Sequence, residues 1–189
     1  MSRLAPALLV IVGAWMLIAT SAAIASPDQD NVWVRVDTDA AVTEVWRGDR
    51  RLMRLDDVAF GRGGISDVHF RGDQTTPRGK FRITRFNRES RFHIFIGINY
   101  PTLAHLDEAR KRGAMTEAEY SDALQIGLKY GGFPQDGTLG GHIGFHGIGN
   151  GNPAIHRDFH WTEGCIALTN EQIETLHSVV KIGTPVVIE

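Results

Sequence analysis

Apolar and polar positions alternate in the part of the chain that follows residue 30. Over residues 31–36, Val32, Val34 and Val36 share one side of a predicted strand, while a tryptophan and an arginine occupy the other. This two-residue period is typical of a half-buried β-strand. Further short segments, bounded by glycine, proline or asparagine, predict strands at 43–46, 52–55, 81–86, 92–98 and 186–188.

A helical period predicts a first helix after Thr116. Thr116 and Glu119 have the spacing of a capping box, and apolar residues then repeat every fourth position from Tyr120. A glycine pair at 131–132 ends the pattern. The residues that follow, up to 141, are irregular and rich in glycine, which is typical of a loop that lies over a binding site.

A second helix is predicted near the end of the chain. It begins at residue 169 or 170, carries Ile173, Leu176 and Val180 on one face, and ends near Gly183. With the strands, these two helices predict an α+β fold that is mainly β and has two or three helices. No internal repeat or linker divides residues 26–189, so we expect one domain.

Composition and charge narrow the class of protein. The chain has 189 residues, a formal net charge of -2 and no cluster of lysine or arginine. We therefore expect neither nucleic acid nor an anionic membrane surface as a partner.

Residues 1–25 have the pattern of an export signal. Arg3 precedes an apolar run over 8–20, and the small residues at 23–25 suit a signal peptidase. The alternative is an uncleaved anchor, because the apolar stretch approaches the ~20 residues that span a bilayer, and it would associate the protein with a membrane. Both readings predict a protein that is exported to the periplasm or cell envelope.

A single cysteine, Cys165, stands in the exported part, so no intramolecular disulfide can form. It follows Gly164 and lies a few residues before the second helix, where backbone N–H groups and the helix dipole would lower the pKa of its thiol.

A strand is predicted over 141–146, with His142 and His146 on one face. A thiolate, an imidazole and backbone N–H donors together suit nucleophilic catalysis. The spacing alone does not select one of the eight histidines.

Three ordered motifs resemble the L,D-transpeptidase catalytic domain. The pair His146-Gly147 precedes the run TEGCIALTN at 162–170, which is similar to the Ser/Thr-x-Gly-Cys element of that family. Upstream, the run TPRGKF at 76–81 matches its Thr-Pro-x-Gly-x-Phe element, and 98–102 resembles a segment of one branch. The resemblance covers roughly residues 50 to 188.

The resemblance implies a β-sandwich fold and a set of roles. Cys165 would be the nucleophile and His146 the general acid and base, oriented by the backbone carbonyl of Gly147. The amides of Gly164 and Cys165 would form the oxyanion hole. The implied substrate is the tetrapeptide stem of peptidoglycan, whose terminal D-alanine is released before an amine from a second stem accepts the acyl group. No metal or organic cofactor is implied.

The sequence departs from the family pattern at two positions. Ala167 stands where many members have an arginine, and His160 stands where one branch would have an aspartate. Arg157 or His160 would replace the missing substrate contact, or both are ordinary loop residues. The candidate substrate contacts are therefore His142, Thr162, Arg157 and His160.

Three other functions stay open from the sequence. Water could accept the acyl group, which would make the protein an L,D-carboxypeptidase or an amidase. A wall-binding module would use the same groove without chemistry. A zinc hydrolase would recruit His142, His146, His156 or His160, although the sequence has no His-Glu-x-x-His pattern.

The remaining histidines are expected to be surface or half-buried structural residues: His69, His93, His105 and His177.

Overall fold

The computed structural model describes residues 31–189, so the predicted export segment lies outside the described residues. Four helices are present in this part: α1 (Leu103–Lys111), α2 (Glu117–Tyr130), α3 (Pro153–Asp158) and α4 (Asn170–Val179). The strands are β1 (Val32–Asp37), β2 (Val42–Arg47), β3 (Arg50–Leu55), β4 (Ile65–Ser66), β5 (Thr76–Pro77), β6 (Gly79–Ser90), β7 (His93–Ile98), β8 (Gly144–His146), β9 (Ile166–Ala167) and β10 (Pro185–Ile188).

Eight of these strands form one mixed sheet in the order β3-β2-β1-β10-β6-β7-β8-β9. The pairs β1–β10 and β8–β9 are parallel, and the others are antiparallel. The long strand β6 pairs with β10 through its first residues and with β7 through the rest. β4 and β5 form a separate two-stranded ribbon. The fold is therefore mainly β with helices, as predicted.

The apolar faces of the sheet and of α4 form the core. Phe145 of β8 and Ile166 of β9 are completely buried, as are Ile173 and Leu176 of α4. α4 packs against β7 and β8. Burial of one such side chain contributes about 1.5–3 kcal/mol to stability, so this packing holds the two short strands in place.

The predicted strands and helices are present, except that β8 begins at Gly144 and not at residue 141. Two helices and the short strands β4, β5 and β9 are additional. The capping box of α2 and the left-handed Gly131 that ends it are both present, and the cap of α4 is Thr169. α4 ends at Val179, before the predicted limit. α1 and α3 were not predicted, because α3 has six residues and most of α1 is polar, so neither shows a sustained apolar period.

One buried carboxylate organises the first three strands. Glu44 of β2 is 2% exposed and forms ion pairs with Arg35, Arg51 and Arg54. Burial raises the pKa of Glu44, but hydrogen bonds from Arg51 and Trp46 outweigh burial, and the net pKa is lowered. The charge of Glu44 is thus satisfied where the side chain is out of water.

Among residues 31–189, no helix combines the length and the apolar run that crossing a bilayer requires.

Candidate active site

The pairing of β8 with β9 brings Cys165 and His146 to one face of the sheet. His146 is the register partner of Ala167, and Cys165 is the residue just before β9. Side chains two residues apart on a strand point the same way, so Cys165 shares the face of Ala167 and of His146. Both side chains line one cavity of about 630 Å³.

The imidazole of His146 is held between aromatic rings. It stacks on Phe92 with the ring centroids 4.4 Å apart, and the edge of Trp161 lies against it at 5.5 Å. Its Nδ1 donates a hydrogen bond to the carbonyl of Gly147 at 2.7 Å. Because a carbonyl can only accept, the proton is on Nδ1, and Nε2 keeps its lone pair.

Burial makes this imidazole hard to protonate. His146 is 3% exposed, and burial lowers its pKa to about 4, although the Gly147 carbonyl acts in the opposite direction. The nearby His156 and Arg91 lower the pKa further, because each disfavours a second positive charge. His146 is therefore neutral around pH 7, the form that can accept a proton.

The loop after His146 is anchored by Asn170, the first residue of α4. Asn170 donates to the Gly149 carbonyl and accepts from the Gly149 amide, both at 2.9 Å. A Cβ on Gly147 would lie 2.6 Å from the Asn170 Oδ1 atom. A Cβ there would also lie 2.9 Å from the Phe92 carbonyl oxygen, so only glycine fits after His146 in this arrangement.

The turn before β9 is fixed by Thr162. Its hydroxyl donates to the Cys165 carbonyl at 2.7 Å and accepts from the Gly164 amide at 3.2 Å. Gly164 has a φ of 125°, and a Cβ there would lie 2.7 Å from the Thr75 carbonyl oxygen. A bond from the Thr162 amide to the Phe60 carbonyl joins the turn to the preceding loop. The turn thus has little freedom to change shape.

The thiol of Cys165 is partly accessible and protonated. Burial raises its pKa to about 11, while a hydrogen bond from the Gly144 amide acts to lower it. The prediction of a lowered pKa is wrong, because β9 separates Cys165 from α4 and a helix dipole acts only near the first turn. Sγ contacts the His142 carbonyl at 3.6 Å, and within residues 31–189 no hydrogen bond joins Sγ to His146.

One of the two amides of the predicted oxyanion hole already donates a hydrogen bond within the protein. The Gly164 amide already donates to Thr162, so in this state it is not directed at a substrate oxygen. The backbone of Gly144 interacts with the sulfur and acts to lower its pKa.

The four predicted substrate contacts fall into two groups. His142 and Thr162 line the cavity, whereas Arg157 and His160 do not. Arg157 is exposed on α3 and pairs with Asp158 at 3.1 Å, and the ring of His160 accepts from the Phe60 amide. The geometry gives no support to a substrate contact by either of these two residues.

The sequence predicts that His142 belongs to the same strand as His146, but in the structure it lies outside β8. Its φ is 57°, and the strand starts two residues later at Gly144. A bond from its amide to Gln135, at 2.8 Å, holds this bent backbone. The imidazole of His142 is exposed and accepts a hydrogen bond from Arg85 at 3.2 Å.

Several cavity residues were missed by sequence reasoning. Trp161 adjoins the cysteine motif, and its position there was the signal that could have singled it out. Its Nε1 donates to the buried His156 at 3.3 Å, so it links the two histidines. Others have no local motif and reach the cavity through the fold: His69, Arg71, Arg91, Phe92, Phe95 and Asp136.

The four histidines that the zinc-hydrolase hypothesis requires do not form a metal site. Within the described part of the chain, no group of three histidine, cysteine, aspartate or glutamate side chains is placed to hold a metal ion.

Comparison with known proteins identifies the family of the chain. A family profile described as YkuD, L,D-transpeptidase catalytic domain, matches residues 31–188. No curated protein sequence matches the chain.

Solved structures with a similar fold include two bacterial proteins. Bd1075 from Bdellovibrio bacteriovorus aligns with a TM-score of 0.54 at 18% identity, over 87% of this chain and 50% of that one. The helical cell shape determining protein Pgp2 from Campylobacter jejuni aligns with a TM-score of 0.56 at 20% identity, over 86% of this chain and 51% of that one. The chain thus spans about half the length of these structures, and the likeness shows the fold.

Proposed function

The chain belongs to the L,D-transpeptidase catalytic domain family, and from that premise we propose that it is a peptidoglycan L,D-transpeptidase with Cys165 as its nucleophile. The observation that carries this proposal is the shared cavity. His146 lines it from β8, and Cys165 lines it from the position just before the adjacent strand β9. The predicted export segment would place the reaction in the periplasm or cell envelope.

Acylation begins from a neutral thiol and a neutral imidazole. Sγ of Cys165 attacks the carbonyl carbon of the third stem residue, and its proton passes to Nε2 of His146. The C–S bond forms, the C–N bond to the terminal D-alanine breaks, and His146 gives the proton to the leaving amine. Because the two pKa values, about 11 and about 4, oppose a resting ion pair, proton transfer would accompany the attack.

The tetrahedral oxyanion would be stabilised by the main chain of the turn. The Cys165 amide is the first candidate donor, and the Gly164 amide would join it by leaving the hydroxyl of Thr162. Catalytic hydrogen bonds often tighten only when the substrate is bound, so the contact between Sγ and the imidazole would also form at that stage.

Charged side chains in the cavity suit a peptide that bears carboxylates. Arg71 and Arg91 line the cavity and would contact the carboxylates of the stem. Ala167 is completely buried beside His146, so the arginine that many family members have at this position has no counterpart in the strand. The fold shared with a helical cell shape determining protein is in keeping with a cell-wall substrate.

The second half-reaction transfers the acyl group to an amine of another stem. Water in place of the amine would give the L,D-carboxypeptidase or amidase alternative through the same acyl-enzyme. No feature of the described residues favours water, and the cavity is open enough to admit a peptide.

The products distinguish the two reactions. Full-length protein is incubated with purified stem tetrapeptides, and the products are separated and weighed. A crosslinked dimer with release of D-alanine is expected from the wild type and not from Cys165→Ala. Tripeptide without dimer would contradict transfer and support hydrolysis, and unchanged tetrapeptide would contradict both.

A further inference from the structure

A second histidine, His69, lines the same cavity as Cys165 and His146. The mechanism above does not use it. It is 4% exposed, and it lies in the loop between the ribbon strands β4 and β5. Its Cε1 atom would lie 3.2 Å from a Cβ on Gly164, so its ring is next to the residue that precedes the nucleophile.

The surroundings of His69 fix its tautomer. Nδ1 lies 2.8 Å from the Thr75 carbonyl oxygen and 2.9 Å from a carboxylate oxygen of Asp73. Both partners are acceptors, so Nδ1 carries a proton, and Nε2 is the nitrogen that holds the lone pair in the neutral tautomer. An imidazole that is oriented through Nδ1 by a backbone carbonyl, with a carboxylate beside it, has the arrangement of a general base.

The free nitrogen of His69 is open to the cavity. Nε2 makes no hydrogen bond to a residue within 31–189, and it is not among the fully buried unpaired atoms there, which are Thr43 Oγ1 and His156 Nε2. It lies beside Gly140, where a Cβ would approach it to 3.2 Å. Gly140 also lines the cavity, and its lack of a side chain leaves Nε2 uncovered.

We propose that His69 is a second catalytic base, which takes the proton of the amine that resolves the acyl-enzyme. The inference rests on the proposed transpeptidase function. Two imidazoles then act as bases in different steps. His146 accepts the proton of Cys165 during acylation, and His69 accepts the proton of the acceptor amine during transfer. The Thr75 carbonyl orients His69 as the Gly147 carbonyl orients His146, and the Asp73 carboxylate lies beside it.

The transfer step balances with these residues. The acceptor enters as a neutral amine, its nitrogen attacks the thioester carbon, and its N–H proton passes to Nε2 of His69. The new C–N bond forms, the C–S bond breaks, and the Cys165 sulfur leaves as a thiolate. The proton held by His69 is then released to solvent, and the thiolate is protonated from solvent, which restores both groups.

The variant His69→Asn separates a catalytic role from a structural one. The Asn amide retains an N–H donor at the position of Nδ1, facing Thr75 and Asp73, but it has no base at the position of Nε2. His177→Asn is the matched control, because His177 packs edge-on against Phe86 and does not line this cavity. Thermal unfolding of each variant shows whether the fold is intact.

Two rates are measured on the full-length protein. The first is the burst of D-alanine released from a stem tetrapeptide whose side-chain amine is blocked, which reports acylation. The second is dimer formation after a stem peptide with a free side-chain amine is added. We expect an unchanged burst and about a 10²-fold slower transfer in His69→Asn, the lower end of what a general base contributes.

Equal losses in burst and transfer, or no loss in transfer, would overturn the role of His69. A wild type that gives no burst would instead contradict the proposed function itself. If the Asn variant unfolds, His69→Gln repeats the measurement, since its amide reaches the position of Nε2 without basicity. Transfer by a folded Gln variant at the wild-type rate would likewise overturn the inference.

Discussion

The two edges of the main sheet are built in different ways. The short-strand edge, formed by β8 and β9, has strands of three and two residues, and every one of them is buried. The long-strand edge, formed by β2 and β3, has strands of six residues each, and its buried Glu44 is surrounded by partly exposed arginines. The site lies at the short-strand edge.

The difference concerns what fixes each edge. At the short-strand edge the backbones approach so closely that a Cβ on Gly144 would lie 2.3 Å from the Ile96 carbonyl oxygen. At the long-strand edge, the buried carboxylate of Glu44 pairs with arginines that are partly exposed, and water screens these ion pairs on the arginine side. We therefore expect that one added atom at the short-strand edge lowers the free energy of unfolding more than the loss of one charge at the long-strand edge.

The largest expected effect is on chemistry at the short-strand edge. His146→Gln removes the group that is proposed to accept the thiol proton, and acylation by a stem tetrapeptide or a carbapenem should slow about 10³-fold. His177→Gln, a change outside the cavity, should leave the rate unaltered. Mass spectrometry of the acyl-enzyme over time measures both rates. Equal acylation in wild type and His146→Gln would remove His146 from the mechanism.

Gly144→Ala should cause the next largest effect, a loss of about 3 kcal/mol in the free energy of unfolding. The added Cβ would meet backbone atoms of β7, which cannot move without breaking the pairing with β8. Gly132→Ala is the matched control, because no atom lies within 4 Å of a Cβ there. Denaturant unfolding compares the two. Equal stability in both variants would show that the short-strand edge is more adaptable than its packing indicates.

Trp161→Phe should have a smaller effect, about 1.5 kcal/mol, because it removes one hydrogen bond and leaves a buried acceptor on His156 unpaired. Phenylalanine retains a ring beside His146. Thermal unfolding measures the loss, and acylation of the variant should fall less than in His146→Gln. An unchanged unfolding midpoint would show that the bond contributes nothing.

The smallest effect is expected at the long-strand edge. Glu44→Gln should cost about 1 kcal/mol at pH 7, in the range of ion pairs with exposed partners. The folded pKa of Glu44 lies below its ordinary value of 4.5, so its contribution is present above pH 4.5 and is lost as the pH falls through the lowered value. The stability difference between wild type and variant should therefore shrink in acid. A difference that is constant with pH would contradict the assigned charge.

The fold, and the choice of Cys165 and His146 as candidates that line one cavity, were predictable because they depend on local pattern. Strand alternation and helix caps depend on residues that are close together in the sequence, and Cys165 and His146 lie in short motifs. The protonation of Cys165 was not predictable, because it depends on burial by distant segments and on β9. His69 and Arg91 reach the cavity through the tertiary fold, so no local spacing marks them.

The most direct test of the central claim is to locate the acyl group. Full-length protein is mixed with a stem tetrapeptide, quenched in acid, and analysed as intact protein and as proteolytic peptides. The account predicts a thioester-linked tripeptide on the peptide that contains Cys165, and its complete absence in Cys165→Ala. Release of D-alanine by Cys165→Ala, or an adduct on another residue, would contradict it.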